Sequence, residues 1–261
     1  MIKKLLKYDL KKMSNLLIYL YPIALAVSIL TRLIKLGDSV QLVFIISQVF
    51  AGITYSIIGS ILVNTFVQIL VAFNQSFYKD QSYLTHTLPV EKQKLLLSKY
   101  LSALIIILTS IVVSVVSLFI VLYTKELMQG LKGLIQMAVS GFNMSGTAFI
   151  LLIAGIFFAQ ICFLISAGFT AIVKAHTYNE KRTLKGLIWF VIYYMASMLI
   201  TFTAVALALL VSGNIKSMFL EVLPANVFTI IMVTAVILYV LFAITFYFMC
   251  NRLFKKGVNV D

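Results

Sequence analysis

Residues 39–78 contain no charged side chain. Coiled as a helix at 1.5 Å per residue, that run is about 60 Å long, roughly twice the ~30 Å hydrocarbon core of a bilayer. It must be two spans, or one long helix that tilts, kinks or leaves the membrane. No turn-like break lies near its middle, Gly59-Ser60 being the weakest point, so one long second helix is expected. The rest of the chain agrees with a lipid setting. Of 261 residues, 62% are hydrophobic and 11% charged, against near half and a quarter in soluble domains. That excludes a soluble globular protein, a disordered chain and a disulfide scaffold. It leaves a polytopic membrane protein. The length suits six helices of about 20–25 residues with short loops and leaves no room for a catalytic domain of about 100 residues.

The expected spans are about 16–31, 40–77, 95–123, 147–173, 187–211 and 227–250. The N-terminal order, five lysines and then an apolar run, imitates a signal peptide with Ala24-Leu25-Ala26 as a cleavage site. However, the apolar core before that site would be short and broken by Pro22, and the apolar run continues past it. An uncleaved first span is the reading. After span three, Leu127, Leu131, Leu134, Ile135 and Ala138 recur at helical spacing, with Lys125, Glu126, Gln129, Lys132 and Gln136 between them. This pattern predicts an amphipathic helix over 125–139 lying at the interface. A break over 140–146, Ser-Gly-Phe-Asn-Met-Ser-Gly, is expected after it. No internal repeat or low-complexity linker divides the chain, so 1–261 is read as a single transmembrane domain.

Charge tests this layout. Sixteen of the 21 Lys and Arg fall in the N-tail, the 79–99 and 174–186 loops and the C-tail; five fall in the alternate segments. A roughly threefold bias predicts both termini in the cytoplasm. Splitting a long uncharged run into two spans would put Lys174, Lys181, Arg182 and Lys185 on the wrong side. The expectation is therefore an all-α integral membrane fold with six transmembrane helices and both termini cytoplasmic, multi-pass in the plasma membrane. The net charge of +13 records that topology. No nucleic-acid partner is expected, because the basic residues are scattered in small groups. Only Arg32, Arg182 and Arg252 are arginines, and a strong polyanion site would favour arginine's planar fork.

What is missing narrows the function. No ionisable residue occupies the middle of a span, where proton-coupled carriers and pumps place them. His86 and His176 lie in loops with no second histidine to complete a zinc site. Cys162 and Cys250 show no metal or redox spacing and read as buried, inert thiols. No GxxxxGK[ST] loop is present, so energy for uphill transport must come from another polypeptide. The polar residues of the spans are amides and hydroxyls. At 100° per residue, Gln41, Gln48, Gly52, Tyr55 and Gly59 share one face of the second helix, with Asn64, Gln68 and Gln75 nearly opposite. The first face either lines a substrate path or packs against a neighbour. The Gly155/Ala159 pair, and Tyr193, Tyr194, Ser197 and Thr201, carry the same two readings.

The most informative segment is 77–104, FYKDQSYLTHTLPVEKQKLLLSKYLSAL. Tyr83, Leu84, Leu88 and Val90 are apolar on the water side, Pro89 fixes a turn, and 91–94 open a helix that runs into span three. Apolar residues beside charge suit a docking surface. The string Asp80-x-x-Tyr83-Leu84-Thr85-x-Thr87-Leu88-Pro89-Val90, then Leu96-Leu97-Ser98-Lys99, resembles the ABC-2 type permease subunits of Gram-positive bacteria. The motif covers about twenty residues, and the six-span layout covers the chain. Gln81, Ser82 and Glu91 depart from the residues common there, while Lys92 keeps the basic character after the proline.

The resemblance implies that the loop at about 78–94 is a coupling helix docking into a separate ABC ATP-binding subunit through Asp80, Tyr83, Leu84, Leu88, Pro89 and Lys92. It also implies a second permease subunit, identical or related. On this reading the chain carries no catalytic residue, metal or cofactor of its own, ATP and Mg being bound by the partner. Gln41, Gln48, Tyr55, Tyr193 and Ser197 are the candidates for the translocation path. An uncharged, partly aromatic path would suit a hydrophobic or amphipathic substrate such as an antimicrobial peptide or drug. Two alternatives are a membrane scaffold or immunity protein that binds without pumping, and, less favoured, a secondary carrier.

Overall fold

A computed structural model describes residues 2–37, 41–79, 82–87, 90–142, 145–178, 180–214 and 224–255, without the side chains of 2, 84–86, 125–126, 134, 137–138 and 142. Of the described residues 91% are helical and none is in a strand. In chain order the helices are α1 (Ile2–Met13), α2 (Leu17–Lys35), α3 (Gln41–Tyr78), α4 (Ser82–Thr87), α5 (Lys92–Leu122), α6 (Lys125–Phe142), α7 (Gly146–Ala175), α8 (Arg182–Val211) and α9 (Ala225–Lys255). Six of them, α2, α3, α5, α7, α8 and α9, are long and apolar enough to cross a membrane. The uncharged run is indeed one helix of 38 residues. The expected break over 140–146 is smaller than the sequence suggested: α6 continues through Ser140 and Gly141 to Phe142. Ser145 then caps α7, its hydroxyl accepting from the Ala148 N–H at 3.3 Å.

The chain falls into two compact units, Met1–Met128 and Gln129–Asp261. In the first, α2, α3 and α5 pack on one another and α1 lies along α5 and against α3. The inward face of α5 carries Ser98, Ser102, Ser110, Ser114 and Ser117, all buried, while Leu101, Ile105, Leu108, Val112, Val115 and Phe119 face outward. This arrangement inverts that of a water-soluble bundle. It is stable where the outer solvent is hydrocarbon, because apolar side chains then gain nothing by turning inward and small hydroxyl residues let backbones approach. Hydroxyl pairs link the helices. Tyr21 Oη and Ser110 Oγ are 2.6 Å apart, Ser110 and Thr65 2.7 Å, and Thr31 and Thr54 2.8 Å. Pro22 sits inside α2; a proline is tolerated in such a helix where neighbouring groups satisfy the freed carbonyl.

In the second unit α7 packs on α8 and α9. Its centre is the ring of Phe163, with the rings of Tyr239, Phe242, Phe246 and Tyr194 at 5.7, 5.8, 5.9 and 6.5 Å between centroids. The Thr170 hydroxyl donates to the Phe246 carbonyl at 2.8 Å, tying α7 to α9. Val205 and Leu209 close a second cluster against Val227, Ile230 and Ile231. Left-handed residues bracket α8: Lys181 at φ 48° before it and Gly213 at φ 71° after it. The Asn214 N–H reaches back to the Leu209 carbonyl at 2.9 Å. Glycine makes that reversal without steric cost; Lys181 adopts its turn with a Cβ in the way. Outward faces are apolar in both units, with Leu199, Phe202, Leu207 and Val211 on α8 and Ile237, Leu241, Ile244 and Phe248 on α9. Surface of that extent is solvated by lipid, not water. The chain is an all-α, multi-pass membrane protein.

Candidate functional site

The end of the first unit where α3 stops and α5 starts combines a short helix with buried charge. The last turn of α3 is anchored: Phe73, Phe77 and Tyr78 are buried, with the rings of Phe73 and Phe77 edge to face at 4.9 Å. One residue later the chain turns, the Ser82 N–H donating to the Lys79 carbonyl at 2.7 Å. The short α4 follows and packs against α3. Ser82 is buried at its base, whereas Tyr83 is 76% exposed. A large aromatic ring is thus held in solvent on a helix of one and a half turns. Glu91 precedes α5 in extended conformation, and its carboxylate pairs with Lys94 at 3.3 Å. Lys92 is exposed on the first turn. Asp80, Leu88, Pro89 and the side chain of Leu84 lie outside the described residues.

Beneath the loop is a polar node absent from the sequence expectation. Asp9 of α1 and Lys99 of α5 form an ion pair at 8% and 6% residue exposure. The other Asp9 oxygen accepts from the Ser98 hydroxyl at 2.7 Å. The Lys99 ammonium also donates to Ser76 Oγ at 2.8 Å, and Lys12 reaches the same oxygen at 3.1 Å. Lys99 further lies 5.8 Å from the Phe77 ring centroid. One cluster therefore joins α1, the end of α3 and the start of α5, the two helices that flank the loop. Its sequence signal was faint but present. Asp9 falls on the apolar side of α1 with Leu6 and Met13, away from Lys3, Lys4, Lys7 and Lys11. Lys99 interrupts an otherwise apolar stretch.

The proposed path residues fall in different settings. Gln41, Gln48 and Tyr55 are exposed on one flank of α3, and added Cβ atoms at Gly52 and Gly59 on that flank would meet nothing within 4 Å. The buried line of α3 runs instead through Ser47, Ala51, Thr54, Ile58, Ile61 and Thr65. Asn64, on the other flank, donates to its own helix at Ser60. In the second unit, Tyr193 is buried between Trp189 and Phe246, at 5.6 and 5.0 Å between ring centroids, and Ser197 turns its hydroxyl onto the Tyr193 carbonyl at 2.8 Å. Both belong to that unit's packing. His176, expected in a solvated loop, is buried at the end of α7, with Nδ1 2.9 Å from the Ile172 carbonyl. The same carbonyl already accepts the His176 backbone N–H at 3.2 Å, so ring and backbone converge on one acceptor at the helix end. Among the described residues no group of His, Cys, Asp and Glu could hold a metal.

No known protein family, curated protein or solved structure matches this chain.

Proposed function

We propose that the chain is the permease subunit of an ATP-driven exporter in a bacterial plasma membrane. Its α3–α5 loop would dock into a separate ATP-binding subunit on the cytoplasmic side. The observation that carries this reading is α4: a short helix between two long membrane helices, based on buried Ser82 and presenting Tyr83 to solvent. A mere connection between spans needs no such helix, and a rigid aromatic side chain on a braced platform suits an interface anchor. The buried Asp9–Lys99 node supports it by fixing the helices on both sides of α4, so that force on the loop is passed to α3 and α5 together. The absence of a phosphate-binding loop from the sequence is in keeping with nucleotide and Mg being bound by such a partner. The charge bias favours the cytoplasm for this end. A second permease subunit would complete the path, for which the uncovered Gln41–Gln48–Tyr55 flank offers polar lining, and the cargo would be hydrophobic or amphipathic.

Affinity purification of the tagged full chain from mild detergent tests the reading. A polypeptide carrying GxxxxGK[ST] should co-purify, with an ATPase rate that responds to substrate, because two ligands acting on linked conformations influence each other reciprocally. Tyr83→Asp and Leu84→Asp should each abolish its recovery. Uphill transport by the reconstituted chain alone under a proton gradient would replace the permease reading with a carrier.

A further inference from the structure

We propose that the outward lysine row of α1 binds the phosphate groups of anionic phospholipids in the bilayer that the chain spans. At 100° per residue, Lys3, Lys4, Lys7 and Lys11 fall within an arc of about 100°. All four are exposed, and Lys3 to Lys11 extends over about 12 Å of helix. The opposite face is already occupied: Asp9 and Met13 are buried, and α1 lies along α5 and against α3. The lysine row is therefore the face left for an outside partner. The single acid of α1 is turned inward onto Lys99, and among the described residues none of the four lysines forms an ion pair.

Three features favour lipid over an acidic protein. First, the row lies next to the start of the first membrane helix. Only a turn at residues 14–16 separates α1 from the first span, flanked by bonds from Ser14 N–H to the Leu10 carbonyl and Ile18 N–H to the Ser14 carbonyl, both 2.9 Å. Second, Tyr8 flanks the row at 75% exposure, and tyrosine is enriched at the membrane–water boundary. Third, the row is entirely lysine. Flexible point charges suit a fluid phosphate surface, whereas a shaped acidic partner would favour arginine. The proposal is independent of the exporter reading, because lipid contact at this helix requires neither a partner subunit nor transport.

The test uses the full chain carrying Tyr8→Trp and Trp189→Phe, so that its one indole sits beside the row. It is placed in phosphatidylcholine nanodiscs in which one-fifth of the lipid is dibrominated, either phosphatidylglycerol or phosphatidylcholine. Indole emission should be quenched more by the brominated phosphatidylglycerol at low salt. The difference should shrink as salt screens the charges. Each Lys→Gln change in the row should weaken the preference by about fivefold, and Lys3→Gln/Lys4→Gln/Lys7→Gln/Lys11→Gln should remove it. Should the fourfold variant fail to fold, the salt series on the unneutralised chain decides by itself. Equal quenching by both lipids at low salt overturns the proposal. So does a preference that survives the fourfold change, and loss of an ATP-binding subunit from that variant would then reassign the row to protein contact.

Discussion

Removing Asp9 should damage the first unit more than removing Lys99, although the two form one ion pair. Asp9→Leu leaves the Lys99 ammonium buried, with the Ser76 hydroxyl and the Phe77 ring as its remaining partners, and the second ammonium, Lys12, on the same hydroxyl. Breaking a buried pair from one side costs about 3–5 kcal/mol, and the proximity of two cations to one oxygen puts this case at the upper end. Lys99→Met leaves a carboxylate that keeps its 2.7 Å hydrogen bond from Ser98. Lys12 already reaches Ser76 at 3.1 Å and can swing toward it, so the expected cost is about 1–2 kcal/mol. The double variant Asp9→Leu/Lys99→Met removes both charges from a site that can pack apolar groups, and should be less damaging than Asp9→Leu alone. The assay is alkylation of a thiol at the fully buried Ala103 (Ala103→Cys, with Cys162 and Cys250 replaced by Ser) across a series of SDS fractions in mixed micelles. A loss below about 1 kcal/mol for Asp9→Leu, or a double variant whose cost equals the two single costs added, would refute the reasoning.

Other consequences can be read more briefly. Thr54→Val removes the 2.8 Å link to Thr31 but should cost only about 0.6 kcal/mol in lipid, measured by the same SDS series. Phe163→Ala should cost about 2 kcal/mol or more by emptying the centre of the second unit; Trp189 fluorescence on SDS titration reports it, and the loss is smaller than in a soluble core because the lipid-embedded unfolded state already keeps the ring from water. Tyr83→Ala should leave stability within about 0.5 kcal/mol, since the ring is in solvent, while on the proposed exporter reading recovery of an ATP-binding subunit falls. In a chain without Cys162 and Cys250, Glu180→Cys should react with an impermeant thiol reagent only after cells are opened, and Lys132→Cys should react in intact cells. The reverse pattern would place α4 outside the cytoplasm.

The six membrane helices were legible because hydrocarbon imposes one crude requirement, an apolar run of sufficient length, which composition alone reports. Helix ends were less so. Span five was expected from 187, but α8 starts at Arg182, since a helix can carry Arg182 and Lys185 beyond the apolar run without leaving helical geometry. The break after α6 was overestimated because Ser140 and Gly141 are weak helix formers that context can still hold in a helix. The polar node was legible only faintly. A lysine at the edge of an apolar run reads equally as a snorkelling anchor, and only tertiary packing shows that Lys99 turns inward to an acid 90 positions earlier. The serine face of α5 was mute, because hydropathy averages over a helix and conceals which side is turned to its neighbours.

That long separation also governs biogenesis. During synthesis Asp9 emerges with α1, but its counterion is 90 residues away, about 5–20 s later at ordinary elongation rates. Throughout that interval the first two spans can already be in the bilayer while the N-terminal helix has no buried site for its acid. Docking of that helix must therefore wait for the third span to insert, which makes it a late assembly event even though it precedes all six spans in the sequence. Nascent chains arrested after the second span should consequently be open to protease within α1, whereas chains arrested after the third should be protected there.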